Sequence, residues 1–128
     1  MIVAGIGSRK GVAAKDVLAA IDAALAVHGL SRGEIDRLAT AELKRDEPAM
    51  HLASAQIGLE LTIVDDEALR EASPRTLTHS DLSLALSGAP SVSEASALAA
   101  AGPSSRLLGP RLVLGSVTCA IAIDGESP

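Results

Sequence analysis

The chain has 128 residues, which suits one domain and is too short for two of ordinary size. It is 48% hydrophobic and 21% charged, and it contains no Phe, Trp or Tyr. Proteins that bind single-stranded nucleic acid stack bases on aromatic rings, and a net charge of −5 opposes any surface that follows phosphates. The composition therefore excludes a nucleic-acid partner of the usual kinds and predicts an aliphatic core rich in alanine.

The amino terminus and the cysteine content predict a cytoplasmic location. Cys119 is the single cysteine, so the chain cannot form an internal disulfide. The apolar residues 2–6 come before Arg9 and Lys10, which reverses the order found in a secretory signal. No apolar run approaches the roughly 20 residues that span a bilayer, so we expect no membrane partner.

Strands and helices alternate in the pattern of apolar residues along the chain. The first apolar run predicts a strand over residues 2–6, and helical spacing over 12–28 predicts a helix that stops at Gly29. Further strands are predicted at residues 37–41, 59–64, 106–108 and 117–123. Further helices are predicted at residues 46–57, from 65–67 onward, at 80–86 and at 91–101, with a break at 88–90.

This alternation places the chain in the α/β fold class. The last two predicted strands lie too close in sequence for a crossover helix, so we expect that pair to be antiparallel. We predict a single three-layer α/β/α domain over residues 1–125, with a mostly parallel (mixed) sheet. Residues 126–128 are expected to form a frayed tail.

A glycine-rich loop joins the first predicted strand to the first predicted helix. Its spacing is one residue longer than the dinucleotide-binding fingerprint, and no acidic residue ends the second strand at the usual distance, so we exclude a Rossmann cofactor site. Outward-facing backbone amides, a helix N-terminus and two basic side chains favour an anionic ligand here. The alternative is a tight turn with two solvated basic residues. The candidate ligand-binding residues of the loop are Gly7, Ser8, Arg9, Lys10 and Gly11.

Charged residues elsewhere are predicted to reach the same edge of the sheet. Glu42 and Lys44 follow the second strand, and the loops after successive parallel strands gather at one carboxyl edge. Arg111, in the last connection, is a further candidate for that crevice. The alternative is a solvent-facing loop with local ion pairs. Glu94, at the start of the alanine-rich helix, is also a candidate, although an acid there favours the helix N-terminus in any case.

Motifs for metal binding and for common catalytic mechanisms are absent. The histidines and the cysteine stand far apart in sequence, and the HExxH, CxxC and EF-hand patterns do not occur. The nucleophile elbow and the phosphate-binding P-loop do not occur either. We therefore expect neither a metal nor a cofactor.

Five sequence segments cover nearly the whole chain in a characteristic order. They are GIGSRKG at 5–11, an alanine-rich stretch ending in HGLS, ATAELKRDEP at 39–48, SVSEASALAAAG at 91–102 and GPRLVLGSVTCAIA at 109–122. In that order they resemble the CobE/CbiG C-terminal domain family of cobalamin biosynthesis, in its stand-alone CobE-like form. The resemblance implies a three-layer α/β fold and a place in corrin-ring assembly.

Two positions depart from the family pattern. Family members often carry Cys where this chain has Ser8, so a thiol is not essential at that position. Many carry Lys where Arg111 stands, and arginine keeps the positive charge but does not deprotonate, which argues against a proton-transfer role. The positions that match are Gly5, Gly7, Arg9, Lys10, Gly11, Glu42, Lys44, Asp46, Glu47, Glu94 and Thr118.

The resemblance implies three alternative functions. A crevice lined by cations suits the carboxylates around a corrinoid intermediate of the precorrin or hydrogenobyrinate type, and favours a binding or carrier protein over an enzyme. Multidomain relatives are associated with opening a corrinoid lactone and releasing a small fragment, a reaction for which Glu42 and Glu94 would be the candidate bases. The third alternative is an accessory subunit of a pathway methyltransferase, with other cobalamin-pathway enzymes as partners.

Overall fold

The computed structural model describes residues 1–78 and 91–124. The strands of this part are β1 (Ile2–Ser8), β2 (Arg37–Ala41), β3 (Leu61–Val64), β4 (Ser105–Leu107), β5 (Leu112–Leu114) and β6 (Val117–Asp124). Its helices are α1 (Ala14–Val27), α2 (Pro48–Ile57), α3 (Asp66–Ala72) and α4 (Val92–Ala101). Short 3-10 helices are found at Arg32–Glu34, Glu42–Lys44 and Ser73–Arg75.

The ends of the helices coincide with residues that suit a helix terminus. Pro48 opens α2, where the missing N–H of proline costs nothing, and Gly58 closes it in the left-handed conformation at φ 75°. At the start of α3, the Asp65 carboxylate accepts a hydrogen bond from the Ala68 N–H at 2.8 Å. These signals are local, which is why the sequence predicts both helix starts.

The described strands form one mixed sheet with the order β3-β2-β1-β6-β4, and β5 also pairs with β6. Strands β1, β2 and β3 are parallel, whereas β6 runs antiparallel to β1, β4 and β5. In the β1–β6 pair, Ile2 lies opposite Ile123 and Ser8 lies opposite Val117. The start of β6 therefore lies at the same edge of the sheet as the carboxyl ends of β1 and β2.

Helices cover both faces of the sheet, which produces three layers. Helices α1 and α2 pack on one face against large aliphatic side chains such as Ile6 and Leu38. Helices α3 and α4 pack on the other face, where the buried side chains of the sheet are mostly small, as at Ala39 and Ala122. The alternation of side chains along each strand assigns one set to each face.

Helix α4 approaches β1 so closely that side chains are excluded between them. A Cβ at Gly5 would lie 2.1 Å from the carbonyl oxygen of Ser93 and 2.6 Å from the backbone nitrogen of Ala97. Only glycine fits against a backbone at that distance. The same contact brings the start of α4 next to Gly7, since a Cβ there would lie 3.7 Å from the nitrogen of Ser93.

The structure confirms the α/β class with a mixed sheet and the antiparallel pairing of the last two predicted strands. Several boundaries differ from the prediction; β1, for example, extends to Ser8 instead of residue 6, and α2 begins at Pro48 instead of residue 46. Helix α1 begins at Ala14 instead of residue 12, because the Asp16 carboxylate accepts the Ala13 N–H ahead of the first turn. Strand β3 begins at Leu61 instead of 59, and β5 lies where the sequence predicts only a connection. The helix predicted at 80–86, the break at 88–90 and the tail at 126–128 lie outside the described residues.

Candidate functional site

An open cleft lies at the carboxyl edge of β1 and β2, beside the start of β6. Its volume is about 1070 Å³, and its walls come from the loop after β1, the turn after β2, the starts of α2 and α4, and the β5–β6 hairpin. The topology explains this convergence, because the carboxyl ends of parallel strands meet at one edge. Seven of the predicted ligand-binding residues line it, namely Gly7, Ser8, Arg9, Lys10, Gly11, Lys44 and Arg111.

The loop after β1 is bonded to two different walls of this cleft. The Arg9 N–H donates to the carbonyl oxygen of Ser116 at 3.1 Å, and the Gly11 N–H donates to Glu47 Oε1 at 3.0 Å. Glu47 is nearly buried and stands at the start of α2. Because these two amides are already donated, they are not free to bind an anion, and the full positive charges that the loop offers come from the side chains of Arg9 and Lys10.

Four cationic side chains line the cleft: Arg9, Lys10, Lys44 and Arg111. Arg9 and Lys10 are exposed, and the other two are half-buried. Within residues 1–78 and 91–124, the ion pairs are Arg32–Asp22 and Arg45–Glu42. None of the four cations of the cleft therefore forms an ion pair with an acid of the described chain. Two acids, Asp46 and Glu47, share the lining. Cations outnumber acids in the cleft, which therefore attracts anions although the whole protein is acidic.

The same cleft also presents apolar surface. Leu43 is 57% exposed and Val113 is 58% exposed, and both line the cleft together with Val92 and Pro48. Large exposed apolar side chains gathered in one concave site favour an apolar ligand surface. The cleft thus combines aliphatic walls with cationic groups, and no aromatic ring takes part.

Glu42, predicted as a candidate ligand-binding residue and base, does not line the cleft. It lies on the short 3-10 helix after β2, and its carboxylate accepts a hydrogen bond from Arg45 Nη2 at 2.9 Å. Both side chains of this pair are substantially exposed. The pair is the local ion pair that the sequence left open as an alternative for this loop.

Glu94, the second candidate base, also lies outside the lining and has no exposed surface. Its Oε1 accepts the N–H groups of Leu77 at 2.7 Å and Thr78 at 2.8 Å. Its Oε2 accepts the hydroxyl of Thr78 at 2.6 Å and the N–H of Arg111 at 2.8 Å. The carboxylate therefore links α4 to two other segments, and one of them carries a cation of the cleft.

Sequence reasoning missed Glu47 and Thr118 as parts of the site. The sequence pattern predicts only a helix start at Glu47. Its contact with Gly11 spans 36 residues and leaves no local signal. Thr118 lies on β6 opposite Gly7, and its hydroxyl oxygen would be 2.8 Å from a Cβ at that glycine. Both residues match the family pattern, and that match is the signal in the sequence that points to them.

The side chains that could bind a metal ion are dispersed in the described part of the chain, and the thiol is buried. Residues 1–78 and 91–124 contain no group of three or more His, Cys, Asp or Glu side chains placed to hold a metal ion. Burial raises the pKa of the Cys119 thiol to about 12, so it stays protonated near neutral pH and is a poor nucleophile. None of the helices described has both the length and the apolar character needed to cross a membrane.

The fold and the site together define a class of protein. It is a three-layer α/β domain with an open, cationic, aliphatic-walled cleft at the edge of a mixed sheet. A family model described as Cobalamin synthesis G C-terminus matches residues 2–122. The chain therefore belongs to this family of cobalamin biosynthesis proteins, as its sequence segments predict.

Individual relatives agree with the family assignment. Protein CobE of a Sinorhizobium species is 27% identical over 121 residues, which cover 94% of this chain and 79% of that protein. A crystal structure of CobE, described as a protein from the cobalamin (vitamin B12) biosynthetic pathway, has a TM-score of 0.90 at 33% identity, covering 95% of this chain and 89% of that chain.

Two further solved structures share the fold. The cobalamin biosynthesis protein ChiG from Agrobacterium tumefaciens is 48% identical with a TM-score of 0.79, and the match covers 98% of this chain and 100% of that chain. A putative cobalamin biosynthesis protein G homolog from Sulfolobus solfataricus is 25% identical with a TM-score of 0.75. That match covers 96% of this chain and 36% of the Sulfolobus chain, so the fold also occurs within a longer protein.

Proposed function

We propose that this protein binds a corrinoid intermediate of cobalamin biosynthesis in the cleft and holds it or passes it on. The observation that carries this proposal is the set of four cations without an acid partner in the described chain, placed around aliphatic walls. Corrinoid intermediates bear many acetate and propionate carboxylates around a flat macrocycle. Cations suit such a periphery, and apolar side chains suit the faces of the ring.

The size and the openness of the cleft support a large ligand. Its volume of about 1070 Å³ lies just above the usual range for small-molecule sites, about 300–1,000 Å³. In the absence of aromatic residues, the ring would be held by aliphatic contact with Leu43, Val92 and Val113. Recognition then depends on charge at the periphery more than on stacking.

The positions of the two candidate bases favour binding over hydrolysis of a corrinoid lactone. Glu42 is paired with Arg45, and the carboxylate of Glu94 is saturated by donors from the protein. Glu47 lies in the lining, but its Oε1 accepts the Gly11 N–H. A general base must reach the proton that it removes, and neither predicted candidate lines the cleft. The accessory role for a pathway methyltransferase stays a prediction.

Titration with hydrogenobyrinic acid, followed by absorbance, tests the proposal. The protein has no Trp or Tyr, so the chromophore of the ligand dominates the spectrum. We expect a stoichiometric complex that weakens as salt is added. Arg9→Ala and Lys44→Ala should each raise the Kd by roughly tenfold to a hundredfold, as expected when a charge-assisted contact is lost.

The control is Arg70→Ala, because Arg70 is an exposed cation on α3 that does not line the cleft. This variant should bind as the wild type does. Binding that survives both cleft substitutions, or no binding at all, would contradict the proposal. Mass spectrometry of the same mixtures distinguishes binding from turnover, since a hydrolase would release a fragment from a lactone-bearing corrinoid.

A further inference from the structure

We propose that Glu94 is a positioning residue that sets the affinity of the cleft by holding Arg111 in place. The inference rests on the proposed function, because it concerns the same cleft. Glu94 itself cannot reach a ligand, since it has no exposed surface. It acts through the N–H of Arg111, which donates to Glu94 Oε2 at 2.8 Å, while the residue itself lines the cleft.

The position of Arg111 in the chain explains why it needs such an anchor. It lies in the connection between β4 and β5, outside any strand. The N–H of Leu108 donates to the carbonyl oxygen of Ile121, and β5 resumes the pairing with β6 at Leu112. Between these two points, the bond to Glu94 ties the backbone at Arg111 to the rest of the protein.

The anchor is rigid because α4 itself is fixed on the sheet. Glu94 lies in the first turn of α4, next to Ser93, whose carbonyl oxygen rests against Gly5. The N–H groups of Leu77 and Thr78 and the hydroxyl of Thr78 also hold the carboxylate. Because the carboxylate of Glu94 is held by α4 and by this second segment, its Oε2 faces the Arg111 N–H in one orientation.

The arrangement requires a carboxylate and not an amide. Among the described residues, each oxygen accepts two hydrogen bonds, and a glutamine would present an NH2 group to one of these pairs of donors. At the Oε1 position, that group would face two backbone N–H groups. At the Oε2 position, the Thr78 hydroxyl can turn and accept, which leaves only the Arg111 N–H without an acceptor. The second orientation costs less, so Glu94→Gln selectively releases Arg111.

A double-mutant cycle on the intact protein, with hydrogenobyrinic acid as the probe, tests this role. Arg111→Ala should raise the Kd by roughly tenfold to a hundredfold. Glu94→Gln should raise it by a factor no larger than that. In the Arg111→Ala background, Glu94→Gln should change the Kd by less than about twofold, because its effect passes through Arg111. Equal factors in both backgrounds, or an unchanged Kd for Glu94→Gln alone, would overturn the proposal.

Thr78→Val is the matched control for a purely structural role. It removes one donor to Glu94 Oε2 and leaves the Arg111 N–H in place. We expect this variant to lose stability and to keep its Kd within about twofold of the wild type. If its Kd rises as much as that of Glu94→Gln, Glu94 affects binding only through general stability, and the proposal fails.

Amide hydrogen exchange provides a readout that needs no ligand. The Arg111 N–H should exchange faster in Glu94→Gln, by a larger factor than the N–H groups of Leu77 and Thr78, and unchanged protection would overturn the positioning role. A wild type that binds no corrinoid would instead overturn the proposed function. If Glu94→Gln does not fold, Glu94→Asp takes its place, because the shorter side chain keeps the charge and withdraws the carboxylate.

Discussion

The two faces of the sheet are packed in different ways. On the face covered by α1 and α2, large side chains such as Ile21 and Met50 fill the space between helix and strand. On the face covered by α4, the helix backbone rests directly on β1 at Gly5, and the polar residues Ser93 and Ser96 are fully buried. One face is held by interdigitating side chains and the other by close approach of two backbones.

This difference explains the alanine-rich composition and its connection with the cleft. Small side chains let α4 lie close to the sheet, which fixes the height of its first turn above β1. The side chain of Glu94 has a fixed length, so its reach to Arg111 depends on that height. The face covered by α4 therefore supports the geometry of the cleft. The face covered by α1 and α2 contributes the larger buried side chains of the core.

The largest effect is expected from filling the space between α4 and β1. In Gly5→Ala, the new Cβ meets backbone atoms of Ser93 and Ala97, and only a displacement of the helix relieves the clash. We expect a loss of about 3 kcal/mol or more in the free energy of unfolding, at the upper end of the cost of overpacking. Urea denaturation followed by circular dichroism measures it.

The matched control is Gly33→Ala, because a Cβ at Gly33 meets no atom within 4 Å and its backbone is not left-handed. This variant should change the free energy of unfolding by less than about 0.5 kcal/mol. Equal stability of the two alanine variants would mean that α4 does not rest on the sheet in the way described.

An intermediate effect is expected from adding a buried hydroxyl on one face of the sheet and removing a buried hydroxyl on the other. Cys119 is buried on the aliphatic face, and Cys119→Ser should cost about 1–3 kcal/mol because it buries a hydroxyl among apolar groups. Ser96 lies on the α4 side, and its hydroxyl has no hydrogen-bond partner among the residues that the structure describes. Ser96→Ala should therefore keep or raise the stability. Urea denaturation of both variants checks the contrast, which fails if the two changes cost the same.

The smallest effect is expected on the outer side of α1, away from both packed faces. Arg32 donates to Asp22 at 2.7 and 2.8 Å, and these hydrogen bonds hold the pKa of Asp22 below its ordinary 3.8. The pair is about half exposed, so Asp22→Asn should cost only about 0.2–1 kcal/mol.

The sign of the pH dependence follows from the lowered pKa. The stabilisation by Asp22 is present above the ordinary carboxyl pKa of 3.8 and is lost as the pH falls through the lower pKa of the folded state. Denaturation of the wild type and of Asp22→Asn should therefore differ near neutral pH and converge in acid. A difference that persists in acid would show that the substitution acts through something other than the charge.

Local signals account for the parts of the fold that the sequence predicts well. Pro48 and Gly58 mark the ends of α2, and the apolar run after Met1 marks β1. The edge of the sheet at which the cleft lies also follows from sequence, because parallel strands bring their carboxyl ends together. That these cationic residues line one cleft could therefore be predicted with no knowledge of side-chain contacts.

The roles of the acidic residues could not be predicted in the same way. Glu94 takes its partners from Thr78 and Arg111, which stand 16 and 17 residues away on either side of it. Glu47 meets Gly11 at a separation of 36 residues. Such contacts leave no periodic pattern in the sequence. From sequence alone, a carboxylate that accepts hydrogen bonds from the protein's own N–H groups therefore cannot be distinguished from a catalytic base.

The loop after β1 is bonded to two different walls of the cleft by the N–H groups of Arg9 and Gly11. Its conformation is therefore set by the protein before any ligand arrives. Freezing a free loop on binding costs conformational entropy, about 1–2 kcal/mol for each residue whose backbone becomes fixed. A loop bonded in advance avoids most of that loss, so a ligand bound as we propose would need to fix little beyond the side chains of Arg9 and Lys10.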